Sequence, residues 1–404
     1  MKESTPDMME ELAADGSASG VEEDAYVPYP FDAEKISISN KKISLSNVIR
    51  RLERGLIHAV DLQRRENLWD VGRKSRLIES LMLRIPLPLF YAAEDKDDKL
   101  YIVDGLQRLS AIKGYVSGKT YKLESLEFLK ELEGKAFDEI AERMQIRINE
   151  TELDFAVIGP DSPPEVQRNI FKRLNTGGLP LTEQEIRHAL YFGPASELLQ
   201  RLVETEEFQV AVDSRVDDSR MAAQELVLRF LSFSIMGVGE YAKDEEMDSF
   251  LSDTMQIANE LMKADSGGGN SGQLRGRKVS NKDMREIEDK FLAAMRRARA
   301  LFDNCAFRIT TPRRFSTRKS PRTPINKSLF EAWSVLLSNI SEREFDALWR
   351  RREFLYQKID AEFDDPQSRL RNFISKDSAK VAGVKGRHKI IREITDDVIK
   401  GPEQ

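Results

Sequence analysis

Residues 99–118 read KLYIVDGLQRLSAIKGYVSG, and this stretch decides the fold of the first half of the chain. Leu100, Tyr101, Ile102 and Val103 form a short apolar run of strand type. Asp104 and Gly105 follow, residue types that turn a chain sharply. Leu106, Leu109, Ile112 and Val116 then recur at helical spacing. The reading is strand, tight turn, helix, with Asp104 as the N-cap. A helix N-terminus carries unpaired N–H groups and partial positive charge. Gly105 lets the backbone come close to a bound group. Gln107 and Arg108 add an amide and a guanidinium in the first turn. Such a set suits a phosphate, with Asp104 holding a hydrated Mg²⁺ beside it. The same residues also suit an ordinary capped helix whose Arg108 pairs with a surface acid, and the residues alone leave both readings open.

Outward from this stretch, composition narrows the classes. The 404 residues carry 33% charged and 8% aromatic side chains and a formal net charge of −6. A chain of this length buries a full core and is expected to hold two domains. Its acidity confines any nucleic-acid contact to a local patch. One cysteine, Cys305, excludes an internal disulfide framework. With His58, His188 and His388 far apart, a structural zinc site is not expected. No apolar run reaches spanning length and no basic region precedes an apolar one at the N-terminus, so the expected location is the cytoplasm, away from membranes.

Upstream, residues 1–30 begin as an acidic, Ser- and Gly-containing tail, expected to be disordered, and end in an aromatic–proline segment. Ile36 and Ile38 suit a strand, and Ser46 is placed to cap a helix carrying Val48, Ile49 and Leu52 and ended by Gly55. A short extended piece runs from His58 to Leu62 into Gln63 and Arg64. Trp69 reads as a core anchor, and 71–83 as a helix stopped by Pro86 and Pro88 ahead of a strand. Downstream, Gly114 to Thr120 imitates a P-loop but has three residues between its glycines where four are needed, and it follows a helix. Residues 123–144 read as two helices, and 145–158 as two strands, one through Ile146 and Ile148. A helix from Pro163 ends at Asn175-Thr176-Gly177-Gly178, and Thr182 with Glu185 spells a capping box for the next. Arg173, with Arg64 and Arg108, would complete three guanidiniums around a polyphosphate; unpaired, they would repel each other.

After about residue 194 strand signals fade. Residues 221–236 read as a central apolar helix, 265–281 as a flexible loop, and 381–400 as a final helix. Residues 308–327 hold Arg308, Arg313, Arg314, Arg318, Lys319, Arg322 and Lys327 with no acid between them. Cations of this kind neutralise DNA phosphates without reading sequence, with Arg313, Arg314, Arg318, Lys319 and Arg322 as the expected contacts; the same run also suits a solvated basic loop balanced by nearby Asp and Glu, and both readings stay open.

Three motifs in order resemble the N-terminal domain of GmrSD-type restriction endonucleases. They are Asp61-Leu62-Gln63-Arg64 with Trp69 and 77–91, then Asp104-Gly105-Leu106-Gln107-Arg108, then FKRLNTGGLPLTEQEIR at 171–187. The resemblance, which spans roughly Ile43 to Phe192, implies an α+β fold for a domain over 31–193, a ParB/sulfiredoxin-like small mixed sheet with helices; the residues beyond it read as a mostly helical domain over 194–404. It implies a nucleoside-triphosphate site, with Mg²⁺ at Asp104. Asp104, Gln107 and Arg108 would be catalytic, and Gln63, Arg64, Gly105, Arg173 and Asn175 would bind nucleotide. The expected function is an NTP-binding and hydrolysing component of DNA restriction or phage defence. DNA would be its partner, with a separate nuclease subunit and self-association as further expectations. The alternatives are a non-catalytic, nucleotide-switched DNA-binding module of ParB type and a weak DNA nickase. Two departures stand out. The first Gln of the family's DGQQR is Leu106 here, which falls on the apolar stripe with Leu109. The His-Asn-His nuclease core of many relatives is not found in the sequence, where His388 stands alone.

Overall fold

A computed structural model describes residues 37–59, 69–95, 97–160, 162, 167, 170, 181–214, 216, 218–241, 246–264, 273–274, 277–278, 284–317 and 323–401. The chain divides into two compact units, Tyr29–Leu190 and Tyr191–Gln404, the latter grouped with residues 1–28. The expected tail, the helix body and turn at 163–180, and most of the loop at 265–281 lie outside the described residues.

The first unit is α+β. Its elements run β1 Ile38–Ser44, α1 Leu45–Glu53, β2 Ile57–His58, α2 Val71–Met82, β3 Phe90–Glu94, β4 Leu100–Asp104, α3 Leu106–Val116, α4 Glu142–Glu150, β5 Glu152–Ile158 and α5 Glu183–Leu190. The strands form one mixed sheet in the order β1-β5-β3-β4-β2. β1/β5 and β3/β4 are antiparallel, whereas β3/β5 and β2/β4 are parallel. The β3–β4 hairpin is closed by Asp95, whose Oδ1 accepts from the amides of Asp97 and Lys99, each at 2.9 Å. Its Oδ2 accepts from the Tyr101 hydroxyl at 2.9 Å.

α3 is apolar on two sides because it lies between two layers. Leu106 and Leu109 join Phe90, Ile102, Phe155 and Val157 over the sheet. Ile112 and Tyr115 join Ile78, Leu81, Leu123 and Ile148 in a second cluster with α2 and α4. A buried aliphatic side chain contributes about 1.5–3 kcal/mol, so these two layers dominate the unit's stability.

Three expectations change. α1 starts directly from β1 with Ser44, not Ser46, at the N-cap position. Residues 142–150 form a helix, not a strand; Ile148 is buried while Ile146 is 47% exposed. Two isoleucines two residues apart fit either period when the run is this short. Residues 123–141 hold two short 3₁₀ turns, Lys130–Leu132 and Phe137–Glu139, in place of two helices. The segment is organised by the buried Glu79 on α2, whose carboxylate accepts from the amides of Glu127, Phe128 and Leu129 at 2.7–3.0 Å.

The second unit is mostly helical. Every residue of helix Ala222–Ile235 is buried, in keeping with its apolar sequence. It packs against helices Pro194–Glu204, Met247–Ala264 and Lys327–Asn339. Helix Val381–Lys400 closes the unit at the bounds expected from the sequence. An ionic cluster joins three of these helices. Arg229 donates to Glu225 (3.1 Å) and Glu331 (3.0 Å), Lys327 pairs with Glu225 (3.1 Å), and Arg387 pairs with Glu331. Among the described residues no helix is long and apolar enough to cross a membrane.

Candidate functional site

The site forms where β4 ends. Leu100 to Val103 are buried, which fixes the strand and delivers Asp104 at its last position. Gly105 takes φ +96°, and a Cβ there would lie 2.2 Å from Cδ1 of Phe90. Only glycine meets both demands, so the backbone turns tightly over the Phe90 ring.

Gly105, not Asp104, is the N-cap of α3, and no side chain caps the first turn. Asp104 is still in the strand, one residue too early to cap, and its carboxylate turns to Arg108 instead. Arg108 Nη2 donates to Asp104 Oδ2 at 3.0 Å and to the Leu89 carbonyl at 3.1 Å, and Nη1 donates to the Pro88 carbonyl. The guanidinium also lies 4.3 Å from the centre of the Phe90 ring. Burial lowers the Arg108 pKa against the opposing pull of Asp104. Arg108 therefore braces the turn, tying α3 to the entry of β3. Its sequence gave no sign of Pro88 and Leu89 as partners, which lie 20 and 19 residues away.

No side chain caps the first turn, so α3's leading amides sit at the helix's positive end without a capping acceptor. Gln107 contributes a carboxamide whose Nε2 is buried and has no hydrogen-bond partner among the described residues. Asp104 keeps one carboxylate oxygen outside the Arg108 pair, with a side chain 42% exposed. Among the described residues no three His, Cys, Asp or Glu side chains form a metal cage. A single carboxylate beside an uncapped helix start is a donor set compatible with Mg²⁺, which keeps most of its waters and takes one or two carboxylates plus phosphate oxygens.

Gln63, Arg64, Arg173 and Asn175 lie outside the described residues. Leu106 is 4% exposed and packs with Leu109 in the core, as its place on the apolar stripe implied. Trp69 is half-buried beneath the Arg73 guanidinium rather than a core anchor. The P-loop look-alike is a continuation of α3: Gly114 sits within the helix, and the Thr120 amide donates back to its carbonyl at 2.9 Å. The Thr182–Glu185 capping box forms in both directions, at 2.8 and 3.2 Å.

The basic segment of the helical unit is not a uniform solvated stripe. Arg308 is buried and donates to the Asn304, Thr323 and Val212 carbonyls. Arg314 pairs with Asp360 and Asp364, and Lys327 with Glu225. Two of these acids lie 50 and 102 residues away in sequence, beyond the reach of a local reading. Arg313 is exposed, and Arg318, Lys319 and Arg322 lie outside the described residues. Sequence reasoning missed Gln184 and Arg187 on α5, both essentially buried where a polar helix reads as solvated.

The comparisons agree with the motif reading. Residues 45–192 match the model of the GmrSD restriction endonuclease N-terminal domain family, a span that takes in β2 to β5 and α1 to α5 but not the edge strand β1. No curated protein and no solved structure matches the chain.

Proposed function

With residues 45–192 a GmrSD restriction endonuclease N-terminal domain, we propose that the chain is the nucleoside-triphosphate-binding and hydrolysing component of a DNA-restriction system. The β4–α3 turn is its phosphate site. The observation that carries this reading is the combination at one turn of Gly105 over Phe90, an uncapped helix start and a buried, unpartnered Gln107 amide. A turn built only for stability would satisfy that amide and cap that helix.

In this reading the first-turn amides and Gln107 bind phosphate oxygens. Arg108 is a positioning residue that holds Asp104 and the β3 entry in place. Asp104 would hold Mg²⁺, which supplies charge neutralisation on the phosphates when bound. Water attacks the terminal phosphorus, the bond to the bridging oxygen breaks, and the diphosphate leaves with the electron pair. Arg64 and Arg173 are the residues proposed to meet the developing charge, and Gln63 and Asn175 to line the nucleotide. Arg313, with Arg318, Lys319 and Arg322, is proposed to contact DNA phosphates; Arg314 serves the fold. A separate nuclease subunit would cut.

A release assay for inorganic phosphate over the common nucleoside triphosphates, with and without modified DNA, tests the reading. Turnover is expected in the wild type and about 100-fold less in Asp104→Ala, about 2.7 kcal/mol of barrier. Equal turnover in both removes the assignment.

One observation favours a second reading, a nucleotide-switched binding module. Arg108, the described cation nearest the turn, is already engaged by Pro88, Leu89 and Asp104. Nucleotide binding without phosphate release would select it.

A further inference from the structure

α5 has the sequence of a surface helix and the burial of a core one. Over Glu183–Leu190, EQEIRHAL, the side chains of Gln184, Glu185, Ile186, Arg187 and Ala189 are all buried. The helix packs on β4, the strand that delivers Asp104. Leu181, just ahead of it, packs against the cluster that holds Phe90, Leu106 and Leu109. α5 and the start of α3 thus rest on the same strand and the same apolar cluster.

Burying that much polarity demands partners, and most are present. Glu185 closes the capping box with Thr182. Arg187 Nη1 donates to Gln184 Oε1 at 2.5 Å, and Nη2 to Glu183 Oε2 at 3.4 Å. The exception is the Gln184 amide nitrogen. The residue is 0% exposed, and its Nε2 has no acceptor among the described residues. A guanidinium only donates, so Arg187 fixes the carboxamide with oxygen towards itself. What is left over is an NH₂ group. A buried donor left unmet costs free energy, and native folds rarely carry one without a ligand, water or catalytic role. Gln107 on α3 shows the same feature, a buried Nε2 without a partner.

We propose that Gln184 is a ligand-binding residue of the nucleotide site, its amide donating to a neutral acceptor on the nucleoside, sugar or base, while the β4–α3 turn takes the phosphates. The inference rests on the nucleotide reading above. A neutral amide suits a neutral acceptor, since the neighbouring cation, Arg187, is matched by Glu183 and by Gln184's own oxygen. Arg187 acts here as a positioning residue that orients the amide.

The test is equilibrium titration of the full chain with non-hydrolysable nucleoside triphosphate analogues and with inorganic tripolyphosphate. Two variants separate the roles of Gln184. Gln184→Met removes both the donor and Arg187's acceptor; Gln184→Glu removes the donor and keeps the acceptor. Both are expected to bind the nucleotides at least tenfold more weakly, with tripolyphosphate affinity of Gln184→Met within twofold of wild type. Gln184→Glu should melt no lower than wild type, which keeps the test valid if the Met variant fails to fold. Wild-type nucleotide affinity in both variants would overturn the proposal and assign the amide to a buried water. Wild-type affinity in Gln184→Glu alone would overturn it in favour of a support for Arg187. A parallel loss of tripolyphosphate binding would move the residue to the phosphates and overturn it too. A wild-type chain that binds no nucleotide fails at the earlier step, before either variant is read, and takes this inference with it.

Discussion

Gly105 is the residue on which the turn depends, and its substitution has a definite cost. Gly105→Ala places a methyl against Phe90 at φ +96°. The left-handed backbone costs roughly 1–2 kcal/mol and overpacking a further ~1–3 kcal/mol. Chemical denaturation of the variant should therefore show a loss of at least ~2 kcal/mol, and the phosphate binding proposed for this turn should be lost alongside. Leu106→Gln, which restores the family's residue, should go the other way from a naive expectation. It puts a carboxamide into the cluster of Phe90 and Leu109, so stability should fall by roughly 1–3 kcal/mol with no gain in turnover. The role of Leu106 was legible, because its spacing with Leu109 marks the buried stripe. The role of Arg108 was not. The motif announced a cation, but its carbonyl partners come from the approach to β3, which only the folded sheet brings near.

Among elements, α2 illustrates how one buried side chain replaces regular structure. Glu79 gathers three consecutive amides of the 123–141 segment, which explains why a Leu- and Glu-rich stretch forms 3₁₀ turns in place of helices. Burial alone would raise the Glu79 carboxyl, but the amides of Glu127, Leu129 and Phe128, with Arg76 nearby, hold it below the usual carboxylate range. The sign follows: an acid with a depressed folded pKa binds its proton more readily when unfolded. Its stabilisation is complete above about pH 4.5 and is lost as pH falls through the folded value. Glu79→Gln should flatten the acid limb of the stability–pH curve, measured by urea denaturation from pH 3 to pH 7. It should also lower stability at neutral pH, since one carboxamide oxygen cannot serve three amides. The strand, turn and helix around Gly105, the helix 71–82 and the final helix were all readable because their apolar spacing is long or strongly punctuated. The helix at 142–150 was not, since a run with two isoleucines carries no period of its own.

At the scale of the whole molecule, charge is spent differently in the two units. In the helical unit the basic segment divides between interior and surface. Arg314→Ala should lower the melting temperature, because it removes the cation that faces the buried Asp360. Arg313→Ala should reduce the salt slope of DNA binding by about one. If Arg313→Ala leaves the slope intact, the DNA contact lies elsewhere. The sequence offered the seven cations as one group; the distant acids that engage Arg314 and Lys327, and the carbonyls that engage Arg308, are a property of the fold.

The pairing of Glu331 with Arg387 has a temporal consequence as well. Glu331 is wholly buried beside Arg229, and Arg387 arrives only on helix Val381–Lys400. A chain emerging from the ribosome carries Glu331 for more than fifty residues of synthesis before its second guanidinium exists. During that interval the nascent helical unit holds a carboxylate paired with Arg229 but not yet with Arg387, so its core is expected to stay open until residues 381–400 have been made. Arrested chains ending before residue 381 should then be protease-sensitive across 222–339, and chains extended past residue 400 by a neutral linker long enough to clear the exit tunnel should become resistant in a single step.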